Sequence, residues 1–78
     1  MKFYGYQENG NDSLLTLEEV SMAVTCVDEI RYLIDFLNYV ANEMERRDEF
    51  GHEHFSDFIN KQKTGLSVKR PDFIVARI

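Results

Sequence analysis

The stretch Thr25-Cys26-Val27-Asp28-Glu29-Ile30-Arg31-Tyr32-Leu33-Ile34-Asp35-Phe36-Leu37-Asn38-Tyr39-Val40-Ala41-Asn42-Glu43-Met44 decides the fold. Within it Ile30, Leu33, Ile34, Leu37, Val40, Ala41 and Met44 recur at helical spacing. Thr25 with Asp28 three residues on has the form of a capping box, Asp standing where Glu or Gln is preferred. Asp28 and Glu29 suit the positive end of a helix dipole, and Arg46 and Arg47 the negative end. Gly51 offers a C′ stop. The expected helix runs about 20–24 residues, roughly 30–35 Å, long enough for one face to cover a small sheet.

Outward from this helix the chain reads as strands. Lys2 to Tyr6 is a short aromatic-rich run, and Leu14 to Val24 resumes an extended pattern after the turn cluster Glu8 to Ser13. The two pair naturally as a hairpin, with the register uncertain at Glu18-Glu19. Beyond the helix, Gly51 to Ile59 reads as a tight turn and a short helix. Asn60 to Arg70 is a polar, basic loop that Pro71 ends. Asp72 to Ile78 closes as a strand whose nearly continuous apolar run places it centrally in a sheet. The expectation is a single α+β domain spanning residues 1–78. Its β-β-α-β order gives a small, mainly antiparallel three-stranded sheet with the long helix packed on one face.

Composition narrows the functional classes. The 78 residues include one cysteine, Cys26, so no intrachain disulfide is possible. A lone thiol fits a reducing cytosol. The opening Met-Lys-Phe-Tyr-Gly-Tyr carries no signal-peptide pattern, and no apolar run reaches the about 18 residues of a membrane span. A soluble cytoplasmic protein is expected. Charge is uneven: residues 1–57 hold 13 of the 14 acids against Lys2, Arg31, Arg46 and Arg47. Residues 58–78 hold Asp72 against five bases. An acidic body argues against nucleic acid as ligand and suits a basic protein partner. Ordinary solubility accounts for the same charge without a partner.

Several constellations carry candidate chemistry. At about 100° per residue, Tyr32, Phe36 and Tyr39 form a second stripe beside Leu33, Leu37, Val40 and Met44. Tyr and Phe are favoured interface anchors, so this stripe is either a partner or dimer surface or the seat of a folded-back C-terminal segment (Phe55, Phe58, Ile59, Leu66). His52-Glu53-His54 is the one metal-like spacing, since residues i and i+2 share a side of a strand. Beyond Cys26, Asp48, Glu49 and Asp57 no further ligands offer themselves, and a capping or loop role for these histidines is preferred. Cys26 shares the direction of Leu33 and Leu37, which predicts a buried structural thiol rather than a nucleophile. Glu18 and Glu19, as strand neighbours, point to opposite faces and make no carboxylate pair. The basic segment Lys61 to Arg70 lacks interleaved aromatics to stack bases. No phosphate loop and no Ser/His/Asp set is present, so an enzyme is not expected, nor a cofactor.

Phe3-Tyr4-Gly5-Tyr6, Leu17-Glu18-Glu19-Val20-Ser21, the helix Asp28 to Leu37 ending in Ala41-Asn42-Glu43-Met44, Gly51-His52-Glu53-His54-Phe55 and Pro71-Asp72-Phe73-Ile74-Val75 together carry a resemblance. They resemble small bacterial immunity proteins of polymorphic toxin systems, the immunity protein family numbered thirty-two. The resemblance covers most of residues 2–56 and 71–76, through soft patterns rather than a catalytic signature. It implies a cytosolic antidote that binds a cognate toxin, often a nuclease with a basic surface, and occludes its active site. The matching positions are Glu18, Glu19, His52, Glu53 and His54, although the family pattern does not say which of them touch a toxin. From the residues themselves the expected contacts are Tyr32, Phe36 and Tyr39, with Glu18, Glu19, Asp35 and Glu43 around them. Two other readings stay open: a structural homodimer, and a weak metal-binding domain using His52 and His54.

Overall fold

The computed structural model describes residues 1–8, 13–62 and 71–78. Most of the expected turn cluster and most of the basic loop, with Leu66, lie outside the described residues.

The order is β1 (Phe3–Gly5), β2 (Leu15–Leu17), α1 (Val27–Arg46), β3 (His52–His54), α2 (Phe55–Lys61) and β4 (Ile74–Ala76). The fold is α+β, but the expected three-stranded sheet is replaced by two separate two-stranded antiparallel sheets. In the first, Phe3 pairs with Leu17, Tyr4 with Thr16 and Gly5 with Leu15. Gly5 fits closely there: a Cβ on it would stand 3.1 Å from Leu17 Cδ1, so that side chain would have to shift by a few tenths of an ångström. In the second, His52 pairs with Ala76, Glu53 with Val75 and His54 with Ile74.

The closing strand was expected in the centre of the sheet because its apolar run is nearly unbroken. The structure pairs it with β3 alone. Phe73 and Val75 turn toward the core while Ile74 stays 52% exposed, so the run conceals an ordinary two-residue alternation. β3 is a polar tripeptide without strand character of its own. It is extended because β4 supplies its partner, a case of tertiary context overriding propensity.

The long helix spans 20 residues, and its ends differ from expectation by a few positions. The N-cap is Cys26, in extended conformation, and the reciprocal acid is Glu29 rather than Asp28. Thr25 donates to Glu29 Oε1 through both its backbone N–H, at 3.2 Å, and its hydroxyl. These bonds, the hydroxyl's first and the backbone's second, hold the Glu29 carboxyl below its ordinary range. At the far end the helix stops at Arg46, ahead of Gly51. Its terminal carbonyls are met by Arg47 N–H, which donates to Glu43 O at 2.9 Å, and by the Arg77 guanidinium, which donates to Met44 O at 2.9 Å.

Phe36 is the centre of the core. It has no exposed surface and packs with Val40 and Phe50. Around it stand Phe55 at 5.5 Å, Phe58 at 5.6 Å and Phe73 at 6.4 Å between ring centroids, the first and last edge-on. Such pairs contribute about 0.5–1.5 kcal/mol each beyond area burial. One helix residue thus gathers α1, α2 and the approach to β4. Among the described residues, β1 and β2 contribute nothing to this cluster.

Candidate partner-binding surface

The expected contact residues separate into three groups. Phe36 was expected to front a partner, but it lies wholly inside. The reason is that Phe55, Phe58 and Phe73 fold back over the aromatic stripe. Tyr39 is half-buried, its ring 5.2 Å from that of Phe58, and Tyr32 is half-buried on the same side.

Glu43 and Glu53 form the second group, and both are held in internal ion pairs. Glu43 Oε2 meets Arg46 and, at 3.0 Å, Arg47 Nε. Arg47 Nη2 reaches Glu53 Oε1 at 3.2 Å, and its guanidinium lies 5.6 Å over the Phe50 ring. This network binds the end of α1 to β3.

The third group is exposed: Glu18 and Glu19 directly after β2, and Asp35 on α1. No partner engages them among the described residues. Large apolar side chains are exposed on the same elements. On α1, Val27 is 61% exposed, Ile34 50% and Leu37 43%. The spacing of Val27, Ile34 and Leu37 keeps them along one side of the helix, with Ile30 between. On the hairpin and the segment that follows it, Tyr6, Leu14, Val20 and Met22 are exposed as well. Only Phe36, Val40, Phe50 and Ile59 are fully buried apolar residues among those described. Scattered apolar residues are normal on a surface, but an exposed apolar stripe on a helix more often marks an interaction site. Of the two readings of the Tyr32, Phe36 and Tyr39 stripe, the folded-back C-terminal segment is the one that covers Phe36, while Leu37, on the stripe expected inside, is exposed. The signal that could have found the outer stripe is the unbroken 3-4 spacing of Val27, Ile30, Ile34, Leu37 and Ala41.

Cys26 is exposed, not buried as expected, because it occupies the N-cap, where the chain has not yet entered the helix. Its sulfur stands 3.8 Å from Glu29 Oε1.

His52 and His54 do share one side of β3, their ring centroids 5.2 Å apart. His54 Nδ1 stands 2.8 Å from Asp72 Oδ2. Asp72 also accepts from Ser56 N–H at 2.9 Å, from the Ser56 hydroxyl at 3.0 Å and from Phe73 N–H at 2.8 Å. Burial alone would raise the Asp72 carboxyl. The bonds from His54, Ser56 and Phe73 outweigh it and leave the group below its ordinary range. No group of three or more His, Cys, Asp or Glu gathers in a metal-holding arrangement among the described residues.

A cleft of about 80 Å³ is lined by Tyr39, Glu53, Phe58, Lys61 and Gln62. A broader hollow lies over the exposed Arg47, Asp48 and Glu49. The first is well under the about 300–1,000 Å³ of small-molecule sites. No helix among the described residues is long and apolar enough to cross a membrane.

No known protein family matches the chain, and no curated protein or solved structure is significantly similar to it.

Proposed function

We propose that this chain is a toxin-neutralising immunity protein, acting in the cytosol by covering a basic surface of its cognate toxin. The observation that carries the reading is the exposed apolar stripe Val27, Ile34 and Leu37, together with the unengaged acids Glu18, Glu19 and Asp35. An apolar stripe supplies burial, and exposed acids steer a basic partner and set its orientation. A basic nuclease fits this chemistry, since the acids would take the place of phosphates and exclude the nucleic acid. The motif resemblance to immunity proteins points the same way.

The test is a pull-down with this protein as bait at low and high salt. Recovery of one basic protein at low salt, diminished at high salt and inhibited by this chain, supports the reading. Recovery of no partner at either salt counts against it. One observation favours a homodimer instead: the 3-4 spacing of the outer stripe is the spacing by which two helices pack along a seam. Sedimentation at several concentrations distinguishes the two, because a self-interface makes mass depend on concentration.

A further inference from the structure

We infer that His52 and His54 form a two-histidine chelate for a divalent transition ion of the zinc, nickel and copper class, with Asp72 as its positioning residue. Both imidazoles rise from the same side of β3, because strand residues two apart share a face. Their ring centroids are 5.2 Å apart. Two imidazoles on one tetrahedral ion, with metal–nitrogen bonds of about 2.0–2.1 Å, hold their ring centres about 5 Å apart. The spacing of the two rings therefore matches that of a chelating pair.

The second observation is the clasp on His54. Asp72 Oδ2 lies 2.8 Å from His54 Nδ1, and an ionised carboxylate can only accept. In the neutral ring Nδ1 therefore carries the proton, which leaves the Nε2 lone pair for a metal. A carboxylate behind a ligating histidine is the usual outer-shell arrangement at such sites. Asp72 is itself fixed by Ser56 and Phe73, so the His54 ring is oriented before any ion arrives. The His52 side chain is exposed and makes no hydrogen bond among the described residues, so its ring is free to take an ion. Two protein ligands leave the ion's remaining positions to water or to a group of another molecule. Imidazole donors select zinc, nickel or copper over magnesium or calcium.

The experiment titrates tag-free protein with zinc ion alone, following the histidine ring resonances by NMR and the heat by calorimetry. Cys26→Ser protein is run in parallel so that the exposed thiol cannot supply the signal. One zinc per chain is expected, shifting both His52 and His54, unchanged by Cys26→Ser. His52→Ala, at an exposed position, should weaken binding by about a hundredfold, since two linked ligands lose their joint hold, with an unchanged circular dichroism melt as the check on folding. Asp72→Asn should weaken it by about 10–100-fold and shift the His54 ring resonances toward the other tautomer, a change that a loss of stability alone would not produce. Binding that survives His52→Ala undiminished, or that vanishes with Cys26→Ser, overturns the proposal, as does wild-type protein whose histidine resonances ignore zinc.

Discussion

The carboxylate of Asp72 accepts a hydrogen bond at 2.9 Å from the backbone N–H of Ser56, sixteen residues earlier in the chain. Ser56 lies in the first turn of α2, whose N-cap His54 makes no side-chain cap. The cap is supplied instead from beside β4. Losing a cap costs about 0.5–2 kcal/mol, and here the loss also frees His54. Asp72→Ala is expected to destabilise the fold by about 1–2 kcal/mol, read as a lower urea midpoint with unchanged slope.

The same group sets a pH dependence. Its folded carboxyl is held below the ordinary value of 3.8, so its contribution is present above that value. It fades as acid carries the folded protein through the lowered one. Wild-type and Asp72→Asn proteins should therefore differ in urea midpoint at pH 6 and converge only as the pH falls from 3.8 through the lowered folded value. A gap that stays constant into acid would mean the hydrogen bonds are not the source of the stabilisation.

The two stripes of α1 should respond differently to truncation. Phe36→Ala removes a fully buried ring and is expected to cost about 3–5 kcal/mol. Set against about 4–12 kcal/mol for a whole domain of this length, at about 0.05–0.15 kcal/mol per residue, that removes a large share of the stability and should lower the melting temperature sharply. Ile34→Ala, at a half-exposed site two residues away, should change stability by no more than about 0.5 kcal/mol. Circular dichroism melts of both variants check this. A large cost at Ile34 would show that something covers the outer stripe in solution.

Acid reversal should likewise separate the free carboxylates from the paired ones. Asp35→Lys and Glu19→Lys are expected to slow association with a basic partner several-fold while leaving the melting temperature unchanged. Glu43→Lys is expected to lower the melting temperature, since it breaks the pairs with Arg46 and Arg47 at the end of α1. Stopped-flow association and thermal melts read the two effects independently.

The long helix was legible because its signals are local: acids at the start, arginines at the end and an apolar spacing between them. Its orientation was not. An apolar arc that takes in Tyr32, Phe36, Leu33, Leu37 and Ile34 is wider than one neighbour can cover, and spacing alone does not say which part turns inward. The choice was made by Phe55, Phe58 and Phe73, which arrive from other elements. The second sheet was hidden for a related reason. His52-Glu53-His54 has no strand propensity, and only its pairing with Ile74–Ala76 makes it one. Among the site residues, the exposure of Glu18, Glu19 and Asp35 could be read from their charge. The capture of Glu43 and Glu53 by Arg47 could not, because it joins a helix end to a strand.

The ring of Phe73 against Phe36 also sets an order in time. While the chain is still being synthesised, α1 can leave the ribosome and form its hydrogen bonds, but the pocket for Phe36 closes only once residue 73 has emerged. Until then the nascent protein carries its most deeply buried ring incompletely covered, the condition under which partly made chains aggregate or recruit chaperones. Translation pausing beyond codon 50 would prolong that exposure, and synonymous changes there should alter the yield of folded protein without altering the protein.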